Sequence, residues 1–383
     1  MSRLWPGFSW GDSPPRDADE GHLRLAFQLA LRGAGTVSPN PMVGAVVVRG
    51  GRVIATGYHR KAGEAHAEVI ALRRAGTAAR GATLYVNLEP CSHHGRTPPC
   101  VQAILGAGVR RVVASMVDPN PRVRGRGFSA LRRAGVVVDS GRLRGDARRL
   151  NEAYTRYIVH HRPFVLVRAG MSLDGRIATA SGASRWITSA RSRRESHALR
   201  WSFDALGVGR ATVGVDDPEL FARRGARLKE RFVRVVLDSA LRTPPDCRLV
   251  RSARRQPVRF YTTRRAPEAR RRTLEAAGAE VCAVAGRRGR VEPAAVLEDL
   301  ARREVASVIL EGGGEVHASF LRAGLVDKVL LFVAPLLLGG RRSIPVVGGG
   351  EPDLPSAGIS LGEVRTGRLG RDLWIEGYPR QVL

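Results

Sequence analysis

Four residues near the start of the chain have the types and spacing of a metal centre that does acid–base chemistry. His66 and Glu68 stand two apart in His66-Ala67-Glu68, Cys91 follows Pro90, and Cys100 closes Thr97-Pro98-Pro99-Cys100. Catalytic zinc commonly takes three protein ligands and leaves the fourth position to water, whose pKa it lowers. One imidazole and two thiolates meet that count. Glu68 is close enough in sequence to stand beside the metal without ligating it, and there it would move protons. Two plainer readings stay open at this point. One is a helix-capping His with two ordinary buried cysteines. The other is a structural zinc site with His93 or His94 as a fourth ligand.

A second constellation lies towards the other end. Leu310-Glu311-Gly312-Gly313-Gly314 follows an apolar run and precedes a helical pattern. Glycines at such a turn let backbone N–H groups approach a phosphate at the helix N-terminus. The signal is weak by itself, since strand–Gly–helix turns are common, and it is not the G-x-G-x-x-G fingerprint.

The elements that must position these residues alternate. A helix is expected over about 20–32, stopped by Gly33. Met42–Val48 and Arg52–Gly57 read as strands of a hairpin turning at Gly50-Gly51. A helix over about 65–75 would carry His66 and Glu68 in its first turn. Thr83–Leu88 reads as a buried strand, and Thr97-Pro98-Pro99 as the opening of a third helix that holds Cys100. Strands at Arg110–Ser115 and Val136–Val138 flank a short helix ending at Arg133, and one helix is expected over 144–160. Arg162-Pro163 breaks the pattern and marks a domain boundary. Beyond it, strands are expected at Phe164–Ala169, Ala205–Val208, Val233–Leu237, Val258–Thr262, Ser307–Leu310 and Val329–Val333. Helices are expected near 190–201, 268–277, 293–303 and 316–323. Strands alternating with helices imply layered α/β domains. The expected division is a flexible tail over 1–18, a first domain over 19–162 and a second over 163–383.

Composition narrows the classes. A chain of 383 residues suggests two or three domains. Recurrent Val/Leu/Ala-rich runs exclude disorder as the main state. No apolar stretch of roughly 18 residues exists to span a membrane, and the first fifteen residues lack the apolar core of a secretory signal. Four cysteines, Cys91, Cys100, Cys247 and Cys282, do not make a disulfide scaffold, so a reducing, cytoplasmic setting is expected. Cys247 and Cys282 are expected to be buried and inert. The formal charge of +28 comes from 60 Arg and 3 Lys against 35 acidic residues. The arginines are scattered, with few aromatics among them, which speaks against a nucleic-acid groove. The Arg-heavy stretch 223–231 reads as a surface loop.

The order His-x-Glu … Pro-Cys … Cys belongs to zinc-dependent nucleobase deaminases, with Glu as proton carrier. Here, however, eight residues separate the cysteines, not two. This longer form, together with Ser38-Pro39-Asn40-Pro41-Met42-Val43-Gly44, Leu88-Glu89-Pro90-Cys91-Ser92-His93-His94-Gly95-Arg96 and Asp118-Pro119-Asn120-Pro121, resembles one family closely. It is that of the bifunctional diaminohydroxyphosphoribosylaminopyrimidine deaminase/reductases of bacterial riboflavin biosynthesis. The resemblance runs from about residue 20 to the C-terminus. It implies a cytidine-deaminase-like three-layer αβα first domain, zinc on His66, Cys91 and Cys100, and Glu68 as proton shuttle. It places substrate contacts on Asn40, His59 and Arg96. The chain departs from the commoner pattern at Asn87, where Thr is usual, and at Ile70, where His is frequent.

In the second half, Met171-Ser172-Leu173-Asp174-Gly175-Arg176, Ser184-Arg185-Trp186-Ile187-Thr188, Asp216-Asp217-Pro218 and Ala334-Pro335 resemble the reductase portion of the same family. That portion is similar to dihydrofolate reductase in fold and uses NADPH. The resemblance puts cofactor contacts on Gly170, Trp186, Thr212, Asp216, Ser239, Gly313, Gly314, Glu315, Val316, His317, Ala318 and Ser319. Substrate contacts fall on Arg168, Ser184, Arg200, Leu220, Arg223 and Glu311, where the arginines suit a ribose phosphate. Three departures stand out: Arg168 for the family's Lys, Phe221 for Thr in Leu-Thr-x-Arg, and Gly314-Glu315-Val316 for Pro-Thr-Leu.

The expectation is a cytoplasmic α/β enzyme with a phosphoribosyl-pyrimidine as its small-molecule partner, a homo-oligomer being compatible with it. Neither nucleic acid nor membrane is an expected partner. It would first deaminate the pyrimidine hydrolytically and then reduce the ribosyl side chain to ribityl with NADPH. One rival is an enzyme in which only the deaminase works, or which serves a specialised pathway, motivated by Arg168 and Phe221. A remoter one is a nucleic-acid deaminase, motivated by charge.

Overall fold

The computed structural model describes residues 14–94, 98–350 and 352–380. Most of the expected tail lies outside them. Its end is helical already: the first helix, Ala18–Ala30, begins earlier than expected because Asp17 caps it, accepting from Glu20 N at 2.8 Å. Arg16 and Arg24 both pair with Glu20. The chain divides into two compact units between His161 and Arg162.

The first unit is built on a five-stranded sheet in the order Arg52–Tyr58, Gly44–Arg49, Thr83–Val86, Arg111–Ala114, Val137–Ser140. The first three strands pair antiparallel and the last three parallel. Side chains alternate across a strand. Accordingly Ala45, Val47, Leu84, Val86, Val112 and Ala114 pack with the helix residues Ala67, Ala71, Val101, Ile104, Phe128 and Leu131. Val46, Val48, Tyr85 and Val113 pack instead with Leu23, Ala26 and Leu29 of the first helix. The sheet thus lies between helices, as an αβα sandwich.

Two details differ from the expected elements. The third helix starts at Cys100 itself, with Pro99 as its N-cap, so proline ends the loop instead of entering the helix. The expected helix over 144–160 is two, Arg144–Leu150 and Glu152–His160. Asn151 leaves the helix between them because its side chain is engaged elsewhere. Its Oδ1 accepts from Met42 N at 2.8 Å and its Nδ2 donates to Met42 O at 3.1 Å. Asn87 supports the same segment, accepting from Gly44 N and donating to Met42 O. The residue that departs from the usual Thr therefore shapes the loop carrying Asn40.

The second unit is built on a nine-stranded sheet. Its order is Glu280–Val284, Val258–Thr263, Val233–Leu237, Ala205–Gly209, Ser307–Gly312, Phe164–Ser172, Lys328–Ala334, Asp372–Pro379, Leu361–Leu369. Seven strands run parallel and the last two form an antiparallel hairpin. Sequence reasoning missed that hairpin, in which polar and Gly residues interrupt the apolar alternation. It also missed the strand Glu280–Val284 and the helix Arg210–Asp216. In that helix β-branched residues and Gly hide the helical propensity. The late strand Ser307–Gly312 inserts between two earlier ones. Such a reversal of strand order opens a crevice at the carboxyl ends of parallel strands. Stretch 223–231 contains two short paired strands, Arg223–Arg224 and Arg227–Leu228. Among the described residues no helix is long and apolar enough to cross a membrane.

Candidate active sites

In the first unit the loops and helix starts converge on one point. His66 is the N-cap of the helix Ala67–Ala75 and Glu68 lies in its first turn. That helix lies so close to the strand Arg52–Tyr58 that only Gly fits at position 57. A Cβ there would meet Ala67 O and stand 2.7 Å from Ala71 N. Cys91 follows the strand Thr83–Val86, and Cys100 starts the next helix. His66 Nδ1 lies 3.1 Å from Cys100 Sγ and 3.6 Å from Cys91 Sγ. All three candidate ligand atoms lie within 4.8 Å of one another. Tetrahedral zinc with about 2.0 Å to nitrogen and 2.3 Å to sulfur would separate those atoms by roughly 3.5 Å. The donor set therefore fits zinc.

Charge is already arranged for a cation. Hydrogen bonding from the Cys100 thiol, and then from His66, outweighs burial and brings Cys91 down to about 4. The same bond and burial push Cys100 up, while hydrogen bonding to Cys91 raises His66. Cys100 N–H also donates to Cys91 Sγ at 3.3 Å, so the helix start serves the sulfur of Cys91 and not that of Cys100. Glu68 is buried, its Oε2 has no hydrogen-bond partner, and burial pushes its carboxyl up. A buried carboxyl oxygen without a partner, two residues from a candidate ligand, is free to accept a proton.

Asn40 and His59 stand at the same place. His59 Nδ1 donates to Ala65 O at 3.2 Å, which leaves Nε2 to accept from Asn40 Nδ2 at 3.1 Å. Burial lowers His59 and keeps it neutral. Its ring meets that of His66 edge-on at 5.4 Å. The Asn40 amide is thus oriented, with Oδ1 and one N–H left for a ligand. Arg96 lies outside the described residues. Sequence reasoning gave no role to Glu89, whose buried carboxylate accepts from the backbone N–H groups of Asp118, Gly125, Gly127 and Phe128. A buried acid inside Leu88-Glu89-Pro90-Cys91 was the signal available. Asp118 accepts from Asn120 N and from Tyr154 OH, and burial lifts its carboxyl to about 6.

In the second unit a cleft of about 1090 Å³ opens at the carboxyl ends of the central strands. Every residue expected there from the sequence lines it except Ala318, which is buried in the helix Gly314–Arg322. The glycine-rich turn enters that helix through Gly313, whose φ of +82° favours glycine. A Cβ at Gly312 would stand 2.7 Å from Thr212 Oγ1. This bare turn at a helix N-terminus suits a cofactor's phosphates. Trp186 is 65 % exposed and sits under Arg193 at 4.0 Å, so it is a wall of the cleft and not a core residue. Glu315 is turned to Arg290 and to Gly349 N.

Glu311 is not free to hold a ligand alone. Its Oε2 lies 2.6 Å from Arg168 Nη2 and from Arg200 Nη2, and its Oε1 accepts from Arg200 Nε at 2.9 Å. Burial would raise its pKa, but Arg168 and Arg200 outweigh burial and hold it at about 2. Arg168 also donates to Ser196 Oγ, a bond its second terminal nitrogen makes possible. Two cations and one anion leave the cluster positive. Cys247 is buried, whereas Cys282 is only half-buried and carries a thiol raised by burial to about 11.

The model of the RibD C-terminal domain matches residues 163–373, and that of the cytidine and deoxycytidylate deaminase zinc-binding region matches residues 16–116. A riboflavin biosynthesis protein RibD of Aquifex aeolicus is 40% identical over 333 residues, covering 87% of this chain and 91% of the relative. Its counterpart in Escherichia coli is 41% identical over 338 residues, covering 84% and 89%. The solved structure of Acinetobacter baumannii RibD superposes with a TM-score of 0.83 at 33% identity, covering 95% of this chain and 99% of that one. A diaminohydroxyphosphoribosylaminopyrimidine deaminase/5-amino-6-(5-phosphoribosylamino)uracil reductase from Thermotoga maritima superposes with a TM-score of 0.81 at 33% identity, with the same coverage.

Proposed function

Because the chain belongs to the RibD family, and is a bifunctional deaminase/reductase of riboflavin biosynthesis, we propose how its own residues divide the work. The observation that carries the reading is the convergence of His66, Cys91 and Cys100 beside the buried carboxyl of Glu68, whose Oε2 has no hydrogen-bond partner.

Zinc on those three residues supplies Lewis acidity towards water. Asn40, oriented by His59, pairs with the pyrimidine edge through its free donor and acceptor. Glu68 takes a proton from the attacking water and delivers it to the departing amine. The ring carbon gains oxygen and loses ammonia. Burial raises the affinity of Glu68 for that proton, so it can hold the proton between the two events. Arg96 is assigned to the substrate phosphate by family resemblance alone.

In the second unit bound NADPH would supply the hydride to C1′ of the ribosyl side chain, whose ring C–O bond breaks while solvent supplies the proton to the released oxygen, giving ribityl. The turn Gly312-Gly313-Gly314, Thr212, Ser239 and Trp186 hold the cofactor. Arg200, Arg223 and Arg168 attract the ribose phosphate. Glu311 stays ionised at working pH, so it accepts hydrogen bonds from sugar hydroxyls and does not donate a proton. Arg168 keeps the charge of the family's Lys but fills a fork-shaped role, reaching Glu311 and Ser196 together. The cysteines form no disulfide, which supports a cytoplasmic setting.

The test is purified, zinc-loaded protein given diaminohydroxyphosphoribosylaminopyrimidine, with ammonia release and NADPH consumption followed separately. Both signals are expected. Glu68→Gln should cut ammonia release by roughly 10²–10⁴-fold, the usual worth of a positioned acid–base group. It should leave NADPH consumption on the deaminated intermediate intact. Ammonia release within tenfold of wild type would remove Glu68 from the proposed role.

A further inference from the structure

Phe221 stands where the family usually has Thr, two residues before Arg223. We infer that Phe221, braced by Arg234 and Arg255, is a positioning residue that holds the 219–223 segment in its substrate-binding form. The inference rests on the reading that Leu220 and Arg223 contact the substrate.

Phe221 is 8% exposed, and the guanidinium carbons of Arg234 and Arg255 each lie 4.8 Å from its ring centroid. Both are within the range of attraction between a cation and an aromatic face. Arg234 is fully buried on the strand Val233–Leu237. Its Nη1 donates to Glu219 O at 2.6 Å and to Ser252 Oγ at 2.7 Å, and its Nη2 donates to Ser252 O and Gln256 O. One guanidinium therefore ties the start of the segment to the chain at 252–256.

Gln256 completes the frame. Its Oε1 accepts from Ala222 N at 3.1 Å and its Nε2 donates to Lys229 O at 3.0 Å. On the cleft side Phe221 O accepts from Arg200 Nη1 at 3.4 Å, which joins the segment to the Glu311 cluster. Leu220 has a φ of +56°, a conformation a bulky side chain holds only when its surroundings impose it. Thr has no aromatic face to meet two cations. In this chain the segment gives up a hydroxyl that could bond a ligand directly and gains an anchor.

The experiment uses the full-length, zinc-loaded protein and the deaminated intermediate. KM and kcat are measured for Phe221→Leu, Phe221→Tyr, Arg255→Met and Arg223→Met, and NADPH affinity is followed by nicotinamide fluorescence. Phe221→Leu keeps apolar bulk and loses the aromatic face. It should raise KM on the order of tenfold or more, with kcat and NADPH affinity unmoved, and Phe221→Tyr should restore wild-type KM. Arg255 is exposed, so Arg255→Met should fold normally and raise KM about 2- to 5-fold, the range of an exposed cation–aromatic contact. If Phe221→Leu does not fold, the Arg255 variant decides. Unchanged KM in folded Phe221→Leu, or in Arg255→Met, while Arg223→Met raises it, overturns the positioning role alone. Unchanged KM in Arg223→Met overturns the substrate reading and the inference with it.

Discussion

Replacing Glu311 with Gln removes the one anion from a buried cluster with two arginines. The side chains of Glu311, Arg168 and Arg200 are 4%, 12% and 11% exposed. The shift of the carboxyl from 4.5 to about 2 corresponds to about 3 kcal/mol of stability at neutral pH. Arg168 is itself held below its ordinary value by burial. Burying Arg168 thus offsets part of the gain at Glu311, and the net worth of the cluster is smaller than that gain. Truncation is another matter, because it leaves buried charge without a partner, at a cost of about 3–5 kcal/mol. In a unit of this size that lowers the melting temperature by roughly 6–20 °C. The sign with pH is defined. A depressed carboxyl contributes stability above its unfolded pKa and loses it as pH falls through the folded value. The gap between wild type and Glu311→Gln should therefore be full at pH 7 and shrink from about pH 5 towards pH 2. Urea unfolding across that range measures it. A loss under about 1 kcal/mol at pH 7, or a gap independent of pH, would refute the reasoning.

Cys91→Ser should lose bound zinc by atomic absorption and lower ammonia release at least about 10²-fold; retained zinc with full activity would remove Cys91 from the ligand set. Asp118 titrates near 6 in the metal-free protein, above its unfolded value, so its ionisation costs stability as pH rises from about 4 to 6. Asp118→Asn keeps the Oδ1 that accepts from Asn120 and Tyr154, and should stabilise the metal-free protein by about 1–3 kcal/mol at pH 8 and by nothing at pH 4; equal effects at both pH values would contradict this. Gly57→Ala forces a methyl against Ala67 O and Ala71 N, so it should cost about 1–3 kcal/mol and slow ammonia release by displacing the helix that carries Glu68. A wild-type rate in that variant would show that the helix gives way freely.

Residue types and their order, with the family resemblance they carry, pointed to the deaminase chemistry. A His, a Glu two residues on, and two Pro-preceded cysteines offer a ligand set and a proton carrier, because ligand chemistry is a property of side chains. Periodicity was enough for the alternating strands and helices, since it reports which face of one element is buried. It does not report what lies across the sheet. Packing alone brings His66, Cys91 and Cys100 within 4.8 Å and leaves Glu68 Oε2 unpartnered. Packing also gives Cys91, and not Cys100, the helix-start N–H. Asn151 breaks a helix that its neighbours' propensities would continue, because two bonds to Met42 lie far away in sequence. The C-terminal hairpin completes a sheet whose other strands bury their faces, so its own pattern is too weak to read. Glu311 was legible as an acid beside a glycine turn. That it is clamped by Arg168 and Arg200, and that Phe221 is braced by two arginines, depends on side chains meeting across strands that only the tertiary fold makes neighbours.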